Sequence, residues 1–309
     1  MAGYLARRVA QSVLVIWGAL TIVFVVVRVI PGDPAALLLG PTATREQLAR
    51  TRESFGLDRP LPEQYFSYLL DVLRLDFGES VRLGGPAMAE VLQRLPATLS
   101  LAFAALALTV AVSFPLGVLA ARRPHNVGGR LISVFSLAGQ GMPQFWVGIM
   151  LILLLSATLR WLPASGFTSL AGLIMPATAL ALPFIGWLIR SVRSGVIDEL
   201  GKDYVRTANA KGLLDGTVFY GHVLRNTLVP ITTVVGLLLG IFIGNAVIVE
   251  VVFAWPGVGR LLVDAITYRD YSVVQAAVAV ITVVYVLLNL AVDVLYTYLD
   301  PRVRFQEGR

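Results

Sequence analysis

The chain has 309 residues, of which 57% are hydrophobic and 14% charged, with a mean hydropathy of +0.77. A soluble globular domain is excluded: such domains carry about 25% charged residues, and a chain this short cannot bury so much charge-free helix at once. The formal charge of +6 is accounted for by loop arginines and lysines and needs no nucleic-acid surface, while the absence of cysteine rules out a disulfide framework and thiolate metal sites.

Reading for Asp, Glu, Lys and Arg alone, six charge-free runs of 19 or more residues appear: Val9 to Val27, Leu95 to Ala121, Leu131 to Leu159, Trp161 to Ile189, Asn226 to Val249 and Tyr271 to Val292. Each can cross a hydrocarbon core, which takes about 20 residues of helix. The expected fold class is an all-α membrane protein with six transmembrane helices. The organisation reads as a tail and first helix (1–30), an extracytoplasmic segment (31–94) and a five-helix core (95–309) that includes a cytoplasmic connection (190–225). The first run follows Arg7 and Arg8 but is longer than a signal-peptide core, and it leads into "RVIPGDPA" rather than a small-residue cleavage site, so it reads as an uncleaved span.

In the 31–94 segment, seven arginines balance nine acids, and in "PEQYFSYLLDVLRLDFG" the residues Phe66, Leu69, Leu70 and Leu73 recur at helical spacing. That face requires cover from the protein's own spans or from a partner. Pro115, Pro143, Pro176 and Pro183 lie inside or at the ends of charge-free runs, where each can kink a helix.

The fourth and fifth spans are joined by Arg190 to Arg225, 36 residues carrying ten charges. Helix-to-helix links usually need about 2–8 residues, so this connection has work to do. Tyr204 to Lys211 reads as a short helix, with Asp203 as its cap and Gly212 ending it in the left-handed conformation. A second short helix is expected from Asp215, its cap, through Phe219, Tyr220 and His222. A helix this short is not stable alone. The small residues Thr207, Ala208 and Ala210, with Tyr204 as anchor and Arg206 as charge, suit insertion into another protein's groove. A helix lying on the membrane surface would also be held, and composition leaves both readings open.

Further on, "AWPGVGR" places Pro256-Gly257 as a type II turn, with Trp255 beside it as an interface anchor. "SVVQ", Ser272 to Gln275, has the spacing of a capping box, and Asp300-Pro301 should close the last helix. The six runs hold no ionisable residue; Glu250 and Arg28 sit near span ends, where snorkelling accounts for them. An ion-coupled secondary transporter, which would keep ionisable groups at midplane, and a membrane-embedded enzyme, which would need a buried acid pair or nucleophile, are both disfavoured. A passive channel leaves the 190–225 segment without a purpose. In the tails and short loops, 14 of the 25 basic residues lie on the N-terminal side and three, Arg160, Arg260 and Arg269, on the other. By the positive-inside rule both termini are cytoplasmic.

"DYVRTANAKGL" with "HVLRNTLVP" downstream resembles the cytoplasmic coupling segment of ABC importer permeases of the dipeptide, oligopeptide and nickel branch. "FGES", "RLPATLSLAF", "GMPQFWVGIMLILLLS", "LPASG", "VIVEVVFAWPGVGRLLVDAITYRDYSVVQ" and "LDPRVRF" match the same branch, so the resemblance runs from Met1 to Phe305. Gly212 stands where the general coupling motif has its glycine, whereas Arg206-Thr207-Ala208 replaces the usual Glu-Ala-Ala, a departure common in this branch. The resemblance implies a type I ABC importer permease fold with an extracytoplasmic insertion between helices 1 and 2 and coupling helices between helices 4 and 5. It also implies a cell-membrane complex with a second homologous permease, one or two ATPase subunits and an extracytoplasmic substrate-binding protein, carrying peptides as the first choice and nickel chelates or other small solutes as the alternative. ATP and Mg would be bound by the ATPase subunits, and this chain, which contains no G-x-x-x-x-G-K-[ST] sequence, would hold no cofactor. Tyr204, Arg206, Thr207, Ala208, Lys211 and Gly212 would carry the coupling, with Arg225 and Asn226 steadying the junction.

Overall fold

The computed structural model describes residues 2–29, 44–54, 58–122, 126–167 and 169–299. Among them the regular structure is helical, with one isolated bridge between Glu79 and Pro86. In chain order the helices are α1 (Ala2–Val29), α2 (Arg45–Ser54), α3 (Leu61–Leu73), α4 (Ala87–Arg122), α5 (Val127–Gln140), α6 (Gln144–Thr158), α7 (Leu170–Leu200), α8 (Asp203–Ala210), α9 (Asp215–Val252), α10 (Val258–Thr267) and α11 (Tyr271–Leu299). Five of them, α1, α4, α7, α9 and α11, are long and apolar enough to cross a membrane.

The third charge-free run departs from expectation. Leu131 to Leu159 is not one helix but α5 and α6, bent by 103° at a short break. Gly141 ends α5, and Pro143, extended at φ −62° and ψ 136°, precedes the first residue of α6. Proline lacks an N–H to donate backwards and drives the residue before it out of the α region. By contrast Pro96, Pro115, Pro176, Pro183 and Pro230 all lie inside continuous helices.

Small residues let the central helices approach closely. The most extensive pair is α4 with α7, where a Cβ added at Gly117 would stand 2.7 Å from Val192 Cβ and 2.9 Å from the Ile189 carbonyl. A Cβ at Gly186 would overlap the Ser136 carbonyl, so α5 and α7 meet backbone to backbone. Without a hydrophobic driving force between helices in lipid, such close contact is the main source of cohesion. Ser113 Oγ adds a cross-helix hydrogen bond to the Ile185 carbonyl, 3.0 Å. Phe242, buried among α4, α7 and α9, meets Phe184 edge to face at 5.1 Å. α1 stands at the periphery and joins the bundle chiefly through α11.

Three local expectations are corrected. The side of α3 that packs is Tyr65, Tyr68, Leu69 and Val72, not the expected stripe: of the latter only Leu69 is inside, and Phe66, Leu70 and Leu73 are exposed. α11 opens on Asp270, whose carboxylate accepts from the Val273 N–H and from Ser80 Oγ at 2.6 Å, so Ser272 is not the cap. Gly257 is extended (φ −98°, ψ 178°), and the positive φ falls on Ala254 (49°), which is not a type II turn. The expected closure at Asp300-Pro301 lies outside the described residues.

Candidate functional site

The connection from α7 to α9 forms a bracket on the N-terminal end of the bundle. Lys202 is extended (φ −75°, ψ 151°) and no side chain caps α8. Asp203 is therefore the first helical residue rather than the cap, where its charge still favours the positive end of the helix. Arg206 lies 3.7 Å from it, with both side chains in solvent.

The inner face of α8 is anchored. Val205 and Ala208 are buried, and they share a core with Val218, Phe219 and Val223 at the start of α9. Tyr204, half-buried, donates its hydroxyl to Glu199 Oε2 at 2.7 Å, and Glu199 Oε1 pairs with Lys202 Nζ. Burial, reinforced by the Glu199 hydrogen bond, pushes the Tyr204 phenol above its usual range. Glu199 on α7 thus holds α8 through the Tyr204 hydroxyl, and Val205 and Ala208 hold it to α9.

The helix stops by a complete Schellman arrangement: the Gly212 N–H donates to Asn209 O at 2.9 Å and the Leu213 N–H to Ala208 O at 3.3 Å. Gly212 has φ +78°, and a Cβ there would meet nothing within 4 Å. A side chain at this position is strained by its backbone alone and would point into open space.

The structure divides the residues named from the sequence. Tyr204 and Ala208 face inward and hold the helix; Arg206, Thr207, Lys211 and Gly212 are exposed, as are Arg225 and Asn226. Thr207 Oγ1 turns back to the Asp203 carbonyl at 3.0 Å. The expected second short helix is not separate. Asp215 is its first residue, and the helix runs through a π-helical turn, Val218–Val223, straight into α9. No breaker stands between His222 and Leu224, so the span simply begins earlier than its charge-free run.

Four partners were not evident from the sequence: Glu199, Lys202, Phe219 and Arg122. The Arg122 guanidinium, from the end of α4, lies 4.7 Å from the Phe219 ring centre and donates to the Tyr220 hydroxyl at 3.2 Å. Its only signal was a basic residue closing a span. Leu213, Leu214 and Tyr220 in the same connection expose apolar surface.

A second polar assembly lies at the opposite end and corrects two readings. Glu250 is fully buried rather than snorkelling. It accepts from Thr98 Oγ1 at 2.7 Å and from the Arg260 N–H at 3.0 Å, a carboxylate held at the N-terminus of α10. Thr98 Oγ1 in turn accepts from the Val258 N–H at 2.8 Å. A Cβ at Gly257 would overlap the Glu250 carboxylate, and one at Gly259 would stand 2.6 Å from Val247 Cα. Trp255 is fully buried too, its indole N–H on the Ala97 carbonyl at 2.9 Å and its ring 4.5 Å from Phe167; it is no interface anchor. Each Glu250 partner is fixed backbone or an adjacent hydroxyl, so the group locks α4, α9 and α10 rather than exchanging an ion.

Between α4 and α9, beside Pro115, runs a groove of about 390 Å³ lined by Val110, Phe114, Leu228, Ile231, Thr232 and Val235 among others, without a charged side chain.

A family model for the binding-protein-dependent transport system inner membrane component matches residues 113–305, and one for the N-terminal part of such membrane components matches residues 1–102. A probable peptide ABC transporter permease protein, y4tP, of Sinorhizobium fredii is 41% identical over 313 residues, covering 99% of this chain and 100% of the relative. The oligopeptide transport system permease protein AppB of Bacillus subtilis is 38% identical over 316 residues, with 99% and 100% covered. Among solved structures, the inward-facing MetNI methionine ABC transporter (CY5 native crystal form) aligns with a TM-score of 0.56 at 19% identity, over 69% of this chain and 97% of that one; this likeness concerns the fold. With a charge-poor helical bundle and similarity along its whole length to permeases, the chain belongs to the family of binding-protein-dependent transport system inner membrane components, multipass proteins of the membrane.

Proposed function

We propose that this chain is one permease subunit of an ATP-driven importer whose cargo is peptide, and that α8 is the element through which it is driven. The observation that carries the reading is the two-faced character of α8. Its inner face is tied to α7 through Tyr204 and Glu199 and to α9 through Val205 and Ala208, while Arg206, Thr207, Lys211 and Gly212 are left exposed. A helix so short needs that anchorage to persist, and an anchored helix transmits a push on its outer face to two long helices. The partner on that face is an ATPase subunit, which binds the ATP and Mg. A second, homologous permease completes the pathway and an extracytoplasmic binding protein delivers cargo to the opposite end. Both termini are then cytoplasmic and residues 31–94 are extracytoplasmic. Peptide is favoured over nickel chelates because the full-length relatives y4tP and AppB are named as a probable peptide and an oligopeptide permease.

Gly212→Trp tests it. The open space around Gly212 lets the chain fold at a backbone cost of about 1–2 kcal/mol, while the indole occupies the docking surface. In proteoliposomes holding the complete complex, ATP-driven peptide uptake should fall at least tenfold with the permease still inserted and monodisperse. Uptake equal to the parent's would remove α8 from the coupling path.

A further inference from the structure

Helix α3 carries three kinds of face, and one of them is left uncovered among the described residues. At about 100° per residue, Tyr65, Tyr68, Leu69 and Val72 share one side and pack in the cluster containing Leu20 and Phe24 of α1. Glu63, Ser67, Asp71 and Arg74 share a second side, which is polar. Between these two, about a third of a turn from the packed side, lie Phe66, Leu70 and Leu73, exposed by 66%, 55% and 80%. A soluble surface helix has no use for a third, apolar face.

The depth of α3 is fixed at both ends. Near its start, Gln64 Oε1 accepts from Arg28 Nε at 2.9 Å, and the Arg28 guanidinium covers the Phe24 ring at 3.9 Å. Tyr65 reaches further down: its hydroxyl lies 2.6 Å from Thr21 Oγ1, and its ring meets Phe24 at 5.1 Å. Thr21 lies seven residues before Arg28 on α1, about 10 Å along the helix axis. Just after α3, Gly78 stands against Ser272 and Ser80 donates to Asp270, both at the start of α11. The helix therefore lies across the level at which two spans end. The α1 helix against which it packs likewise exposes apolar side chains, Ile22, Val25, Val26 and Val29, on a segment long and apolar enough to cross the bilayer.

We infer that α3 is an interfacial helix, seated in the membrane boundary opposite the N-terminal end, with Phe66, Leu70 and Leu73 in contact with acyl chains and Ser67 and Asp71 turned to water. Helices of this type bury their apolar face about 5–10 Å into the boundary between headgroups and acyl chains. Arg28 fits the arrangement, since a long cationic side chain at a span end reaches the headgroup level. The occupant of the face is lipid, and a partner protein seated there is the competing outcome.

The chain contains no cysteine, so single cysteines report one position each. Phe66→Cys, Leu70→Cys, Leu73→Cys, Ser67→Cys and Asp71→Cys would be spin-labelled in the assembled complex in lipid nanodiscs, and collision rates measured with oxygen and with a water-soluble nickel chelate. The ratio of oxygen to nickel collisions should be several-fold higher at positions 66, 70 and 73 than at 67 and 71. Equal nickel access at all five positions would overturn the inference, as would closure of positions 66, 70 and 73 to both reagents, which would place protein on the face. Should a cysteine disturb folding, Leu70→Trp and Ser67→Trp in brominated-chain lipid provide the same test. Additional quenching in Leu70→Trp alone is expected, and equal quenching in the two variants would refute the lipid contact.

Discussion

Replacing Glu250 by alanine should be among the most damaging single changes outside the close helix contacts, and its size can be worked from the geometry. The carboxylate accepts from Thr98 Oγ1 and the Arg260 N–H in a fully buried position. Each buried donor left unpaired costs about 1–3 kcal/mol. The Thr98 hydroxyl can turn to a carbonyl of its own helix, which leaves the Arg260 N–H stranded beside the cavity opened by the truncation and sets the loss at about 3 kcal/mol. Glu250→Gln keeps the shape and one accepting oxygen and should lose about 1 kcal/mol. On the scale for soluble domains of 150–250 residues, where 1 kcal/mol moves the midpoint by about 2–4 °C, Glu250→Ala lowers the melting temperature by about 6–12 °C. Fluorescence-detected size-exclusion after heating, in nanodiscs, reads this directly. Thr98→Val, alone and combined with Glu250→Ala, closes a double-mutant cycle, and the pair should be clearly less than additive. A Glu250→Ala midpoint within 2 °C of the parent, or a Glu250→Gln loss as large as that of Glu250→Ala, would refute the hydrogen-bond account, where the 2 °C margin is about the effect of half a kcal/mol.

Three further outcomes follow from the packing. Gly186→Ala, whose Cβ would overlap the Ser136 carbonyl, should abolish a monodisperse fold because backbone cannot give way, whereas Gly216→Ala, with nothing within 4 Å, should be neutral or stabilising by up to about 1 kcal/mol; parallel chromatography of the two variants separates them. Burial pushes the Tyr68 phenol up to about 12. A raised value in the folded chain means its contribution is complete below the unfolded value near 10 and is lost as pH climbs from there through 12. Tyr68→Phe, whose lost hydroxyl has no hydrogen-bond partner among the described residues, should keep neutral-pH stability and blunt the alkaline loss in melts between about pH 9 and 12. Tyr204→Phe should leave the protein folded, since Val205 and Ala208 still pack, but lower ATP-driven uptake several-fold by loosening α8 from Glu199; unchanged uptake would show that the hydroxyl tie is dispensable.

The sites were partly legible before any coordinates. Gly212 could be read because a left-handed helix stop selects glycine whatever lies around it, and the short helix before it could be read from its punctuation. Which of its residues face inward could not, because that depends on Phe219 and Val223 arriving from α9 and on Glu199 from α7. The caps misled for a related reason. Asp203 stands one residue from its expected register and Asp270 caps α11 two residues before Ser272, and so small a shift in where a helix begins costs little until tertiary partners such as Ser80 choose between the alternatives.

From its sequence alone this protein is a multipass helical membrane protein with a long connection between its fourth and fifth apolar runs, since hydrocarbon thickness and the expense of burying charge act residue by residue along the chain. Tertiary structure decided the rest. The bend between α5 and α6 has a local cause at Pro143, but its 103° angle is set by what the two halves pack against. Glu250 looked like a span-end charge until Thr98, 152 residues away in the chain, closed over it with the start of α10. Hydrogen bonds and close packing act between neighbours in space, so neither the burial of Glu250 and Trp255 nor the outward face of α8 exists before the helices have met.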